Sequence, residues 1–235
     1  MRLGAVSYIN ALPFVVPLQQ KFEMYLAPPK VVNQQLRLNA LDCVLSSSVL
    51  ACDPLLYPIL DFGIASKGPI LSVHLYSPVA PTLLSGKHIA VDQSSETSIA
   101  LLRILCQDHW KVEVDFVDPQ QPHDAWLLIG NEALANQHYP GYQTIDLASA
   151  WYEMTQLPFV FALFTAHRTP SEDLLQLFDQ CLLWSALHQQ EILNIAQQQT
   201  SLSSELILTY FAQITYRLGN HEKRGFQTFR QLCNV

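Results

Sequence analysis

The sequence is short of charge. Only 14% of its 235 residues are charged, and 13 lysines and arginines against 20 aspartates and glutamates give a formal net charge of −7. The basic residues are scattered apart from Lys223-Arg224 near the C-terminus, so the basic stripe that nucleic-acid binding needs is missing. A small anionic ligand is still compatible, because a few oriented N–H groups can hold a carboxylate in an acidic protein. No apolar run approaches the ~20 residues of a membrane span. The longest, around Leu157 to Ala166, contains Pro158 and ends at His167-Arg168. The five cysteines, Cys43, Cys52, Cys106, Cys181 and Cys233, form no CxxC pair and no zinc spacing, and most of them read as small core residues. HExxH, a GxSxG elbow and a GxxxxGKS or GxxxxGKT loop are all absent, which argues against a zinc protease, a serine hydrolase and an NTPase. No metal and no cofactor are expected. A strand opening at the N-terminus leaves no room for a signal peptide, so the expected location is cytoplasmic.

What is present is apolar: 49% of the residues are hydrophobic, enough for one large domain or two lobes with a proper core. Leu3-Gly4-Ala5-Val6 reads as a buried strand. It runs into Ser7-Tyr8-Ile9-Asn10 and Pro13, at the carboxyl end where α/β sheets bind ligands. Tyr8 and Asn10 are therefore candidate contacts. The unit of strand, small polar turn and helix occurs four times, near residues 2–21, at 43–51, from 87 into a helix starting at Thr97, and at 126–134, and predicts an α/β fold with mostly parallel sheets. Residues 70–77 alternate as a half-buried strand, and 159–166 form a second long strand. Two such crossing strands suggest two lobes, with 1–77 opening the first, 78–162 forming the second, and a helical 163–235 returning to the first. Ser171 and Ser203 are N-cap candidates in that last segment, and Gly219 is a natural helix stop.

Ser94-Ser95-Glu96-Thr97-Ser98 follows a strand and opens a helix. Unsatisfied N–H groups and the helix dipole favour an anion there. Capping alone would need one hydroxyl, so Ser94, Thr97 and Ser98 are candidate substrate contacts. Asp61 through Ser72 reads as a loop in which Gly63 and Gly68 permit close approach, with Ser66 and Ser72 as candidates. Gly130 and Asn131 occupy the turn of the fourth unit. His74 and His88 fall in strands, while the remaining histidines singled out, such as His109, His123 and His188, read as surface or helix-end residues.

Taken in order, these pieces resemble a known family. Gly4 through Pro13, Leu41-Asp42, Asp61 through Ser72, Thr97 through Leu101, Leu128 through Leu134, Asp146 through Ala162, and Tyr216 to Gly225 are similar to the chorismate dehydratases of the futalosine-type menaquinone pathway. The resemblance implies a two-lobed fold of the periplasmic-binding-protein type II class and a cytosolic hydro-lyase needing no cofactor. It implies that Asn10 and Ser72 lie nearest the reacting ring and that the Thr97-Ser98 helix start binds a carboxylate. Asn131 stands where the family usually has aspartate, and Asn39 where it commonly has glycine; asparagine tolerates the left-handed conformation. None of the matched motifs offers an obvious protein base, which leaves the substrate's own enolpyruvyl carboxylate, or His74, to take the proton. Two other readings stay open: a non-catalytic receptor for a small carboxylate, and the sister enzyme acting on a cyclic futalosine derivative.

Overall fold

Leu3–Val6 forms β1, and all four residues are buried. A strand buried on both faces needs neighbours on each side. In the computed structural model β1 lies parallel between β2 (Met24–Ala27) and β3 (Cys43–Ser47). The structure describes residues 1–93 and 96–233. Tyr57–Ser66 (β4), Phe159–Ala166 (β10) and Thr215–Arg217 (β11) extend this first sheet to the order β11-β4-β10-β3-β1-β2. Val73–Ser77 (β5), His88–Ala90 (β6), Asp115–Val117 (β7), Ala125–Ile129 (β8) and Gln143–Asp146 (β9) make a second sheet, β7-β6-β8-β5-β9.

Both sheets are mixed rather than mostly parallel. The strand–turn–helix units give the parallel pairs, β1 with β2 and β3, and β6 with β7 and β8. The strands on either side of the crossings between sheets pair antiparallel instead, as β10 does with β3 and β4, and β5 with β8 and β9. Residues 70–77 and 159–166 do not each bridge the two sheets: β5 belongs wholly to the second and β10 wholly to the first. We therefore propose to divide the lobes by sheet membership, at 67–72 and near 156–158.

Two further expectations change. Residues 61–66, read as loop, are the end of the ten-residue β4; β4 is paired on both edges, by β10 and β11, and tertiary pairing overrides the glycine signal. The alternation over 70–77 suggested a solvent face, yet every residue of β5 is buried. Its polar side chains are satisfied inside: His74 Nδ1 lies 3.3 Å from the Tyr76 hydroxyl and Nε2 lies 3.5 Å from Asp146 Oδ2. Tyr76 donates to the Asn136 carbonyl and stacks on Trp126.

The helices cover the sheets. Leu12–Gln19 (α1) is buried from Leu12 through Leu18, and Pro29–Arg37 (α2) covers the other flank of β1 and β3. Glu96–Ile104 (α3), Gly130–Ala135 (α4) and Leu147–Thr155 (α5) belong to the second lobe. Glu172–Leu187 (α6), Gln189–Thr200 (α7), Ser204–Ala212 (α8) and Asn220–Leu232 (α9) form the helical return. Ser171 and Ser203 cap α6 and α8 as expected, accepting from the amides of Leu174 and Leu206. Gly219 does not stop α8, which ends at Ala212; it precedes α9, its amide donating to Glu222 at 2.8 Å. Behind the first sheet, Phe164 stacks on Phe178 with centroids 3.9 Å apart and meets Phe14 edge-on at 5.0 Å.

Gly225 lets α9 lie against the segment that re-enters the first sheet. A Cβ there would stand 2.0 Å from the Pro158 carbonyl oxygen, and a backbone atom cannot swing aside. Gly225→Ala is expected to cost about 1–3 kcal/mol, as overpacking does, and to lower the midpoint of thermal unfolding by several degrees in a calorimetric scan.

Candidate active site

The strands of the first sheet deliver their ends to one edge. Val6 ends β1 there, and the Ser7 amide donates to Ala27 O at 3.1 Å. The chain then makes a single turn over Ile9–Ala11 into α1, which swings Tyr8 and Asn10 over the edge. Ser47 ends β3, and Phe161 and Ala162 lie near the start of antiparallel β10. Facing them, the second lobe presents Val73, Ile129, Gly130 and the first turn of α3. The crossing contributes Ile70 and Ser72, and α8 contributes Tyr210. These groups line one cavity.

Six of the expected contacts, Tyr8, Asn10, Ser72, Thr97, Ser98 and Gly130, meet in that cavity. Ser66 does not line it. Its hydroxyl turns back to the carbonyls of Gly68 and Pro69, at 3.1 and 3.0 Å, and shapes the turn. Asn131 lies outside the cavity, bordering two neighbouring grooves with Tyr8, and its Oδ1 accepts from the Ile9 amide at 3.5 Å. Ser94 falls outside the described residues. His74 does not line the cavity and is occupied with Asp146 and Tyr76.

Sequence reasoning missed Tyr210, Ser47, Glu96 and Asn33. Tyr210 recurs at helical spacing with Ile207 and Ile214, which is also the signature of a core residue; nothing local separates the two. Glu96 sat inside the Ser/Thr motif but was passed over for its hydroxyl neighbours. It is the only carboxylate, and there is no lysine, arginine or histidine, among the described residues lining the cavity. Asn33, fully buried on α2, donates to Glu96 Oε2 and to Ser47 Oγ at 3.0 Å, and accepts from Ser46 Oγ at 2.6 Å.

Asn33 and Glu96 belong to opposite lobes, so their hydrogen bond spans the cleft. Two more bonds do the same: the Val49 amide to Thr97 Oγ1 at 3.3 Å, and the Ile9 amide to Asn131. A bond to a charged group contributes about 1.5–3 kcal/mol, more than a neutral one, so Asn33–Glu96 is the strongest of the three. Gly130 completes the closure. Its φ is +60°, and a Cβ would stand 2.7 Å from the Tyr8 ring.

Burial sets the electrostatics. It pushes the Tyr210 phenol up to about 12, against the pull of hydrogen bonding to Ser72 and Asn10. Burial also raises Tyr8, helped by the negative charges of Asp92 and Glu132. Both phenols therefore stay protonated at neutral pH and keep an O–H to offer a ligand. Asn10 Oδ1 is buried with no partner inside the protein, the state of a group awaiting a ligand's hydrogen bond. Glu96 apart, the arrangement suits a neutral, donor-rich grip on a small polar molecule.

Comparison with known proteins fits this geometry. The family model described as menaquinone biosynthesis matches residues 1–234. The chain belongs to that family. Along its whole length it is similar to the chorismate dehydratase of Campylobacter jejuni, 25% identical over 247 residues, covering 100% of this chain and 98% of that one. It is also similar to the chorismate dehydratase of Thermus thermophilus, 24% identical and covering 99% and 95%. Among solved structures, a protein of Archaeoglobus fulgidus superposes with a TM-score of 0.78 at 16% identity, covering 99% and 96%. The periplasmic aliphatic sulphonate binding protein of Escherichia coli superposes at 0.66 and 13% identity, covering 99% and 85%. These likenesses establish the two-lobed periplasmic-binding-protein fold. Among the described residues, no helix is long and apolar enough to cross a membrane.

Because Gly130 abuts Tyr8, Gly130→Ala is expected to hold the lobes apart. Small-angle scattering should then report a larger radius of gyration than for the parent protein, and an unchanged radius would refute the contact's role in closure.

Proposed function

We propose that this chain is a hydro-lyase that dehydrates chorismate to 3-(1-carboxyvinyloxy)benzoate, the opening step of futalosine-type menaquinone synthesis, and that it works in the cytosol. The full-length similarity to two chorismate dehydratases carries this reading. The cavity supports it, because Asn10, Ser72, Thr97 and Ser98 converge where a ring and its carboxylate would lie. Losing a ring proton and the adjacent hydroxyl makes the ring aromatic, so the protein need not drive the reaction. Its task is to hold a dianion and to stabilise charge spreading into the ring carboxylate as the C–H bond breaks. The first turn of α3, with its N–H groups and the Thr97 and Ser98 hydroxyls, supplies fixed dipoles for that charge. Closure of the lobes removes water and strengthens those contacts.

Asn10 and Ser72 are not bases. In this reading they orient the ring while the substrate's enolpyruvyl carboxylate removes the proton. The presence of Glu96 in the cavity favours one alternative, a protein carboxylate as base. Its Oε2 accepts from Asn33 across the cleft, which suits a clasp. Glu96→Gln preserves an oxygen acceptor for Asn33 and is expected to keep kcat within about threefold, whereas loss of a general base costs roughly 100-fold or more.

Purified protein incubated with chorismate should give a product lighter by one water and carrying an aromatic ring, followed by liquid chromatography with mass detection. Stabilisation by chorismate without turnover would point to a receptor on the same fold, since fold alone does not set function. Given turnover, Asn10→Ala and Ser72→Ala are each expected to lower kcat/KM by about 100-fold, the scale of a lost positioning contact. Near-normal values for both would remove them from the site.

A further inference from the structure

On the dehydratase reading, the ring oxygen must leave as water rather than hydroxide, so a proton has to reach it as the C–O bond breaks. Among the described residues lining the cavity there is no lysine, arginine or histidine to provide it. The O–H donors there are the alcohols of Ser47, Ser72, Thr97 and Ser98 and the phenols of Tyr8 and Tyr210. A phenol, with an ordinary pKa near ~10, is a far stronger acid than an alcohol. Tyr8 is only half-buried, with its ring against Gly130 at the junction of the lobes and open to two outer grooves. Tyr210 is different: it is 1% exposed, and it lines the cavity together with Ser72 and Asn10.

We propose that Tyr210 is a catalytic residue that donates its hydroxyl proton to the oxygen leaving the ring, with Ser72 and Asn10 fixing that hydroxyl in place. Burial keeps the phenol protonated at any working pH, against the pull of Ser72 and Asn10, so it enters each cycle as an acid. The step balances. The ring C–H bond breaks and its electron pair enters the ring as the new double bond. The C–O bond breaks, and the oxygen takes the Tyr210 proton and departs as water. The tyrosinate is basic enough to recover a proton from the group that took it off the ring carbon, so no oxidant or reductant is required.

Tyr210 is also a core side chain, packed with Ile207 and Leu218 in one apolar cluster, so the test must remove the hydroxyl and keep the ring. Tyr210→Phe is expected to lower kcat on chorismate by about 100-fold, within the range for a lost general acid, with KM and the unfolding temperature little changed. A second substrate separates chemistry from structure: a chorismate analogue bearing fluorine in place of the ring hydroxyl. Fluoride leaves without a proton, so on this analogue Tyr210→Phe should match the parent enzyme. A kcat on chorismate within about twofold of the parent, or an equal loss on both substrates, would overturn the assignment. Parent protein inactive on chorismate would instead sink the dehydratase reading, and this step with it.

Discussion

Everything in the cavity depends on two lobes meeting closely across a cleft, joined behind it by a shared apolar core in which Trp151 of the second lobe meets Phe159 and Phe229 of the first. The tightest point is the Tyr8 ring against Gly130, where a left-handed backbone and the absence of a Cβ are needed together. Among the described residues, three hydrogen bonds cross the cleft around it, and of these Asn33–Glu96 is the one that engages a carboxylate. Three bonds of this kind contribute only a few kcal/mol. At the mouth of the cleft such modest bonds suit a closure that a ligand's own contacts would bias, as population shift requires. Close approach and modest binding across the cleft are thus two sides of one requirement.

The second constraint is electrostatic. A site read as holding a dianion has no cation among its described lining residues, and its one charged group is acidic. Neutral donors must therefore do the work. The first turn of α3 offers dipoles, Asn10 and Ser72 offer polar side chains, and the two phenols offer strong O–H groups. Such donors are worth most where water is excluded, which ties the electrostatics back to closure. Glu96 fits this picture because the buried Asn33 already engages its carboxylate. Repulsion toward a bound anion is reduced when an acid's lone pairs are taken by a donor from the other lobe.

Much of the first lobe was legible from local signals. The β1 run and the polar turn after it place Tyr8 and Asn10, and serine caps mark α6 and α8. Other elements were not. β4 carries glycine and ends toward Gly68-Pro69, so it reads as loop until β10 and β11 pair with it. The polar residues of β5 read as solvent-facing because nothing in their own neighbourhood announces Trp126 and Tyr139, which come from far along the chain to cover them. Ser66 and Ser72 look alike as serines in one segment, yet one closes a turn and the other faces the cavity.

By itself the sequence determined the class of fold and the family, and it marked the strand ends and helix starts that carry candidate contacts, because those signals are local: apolar runs, caps and turns act over a few residues. The tertiary structure alone decided the direction of strand pairing, the burial of β5, and the arrival of Tyr210, Glu96 and Asn33 at the site. Tyr210 and Asn33 come from helices whose periodic patterns record only that a face is buried, and Glu96, although it sits in the helix-start motif, meets Asn33 only across the cleft. Which face meets a cavity depends on how distant segments pack, and packing is a property of the whole chain.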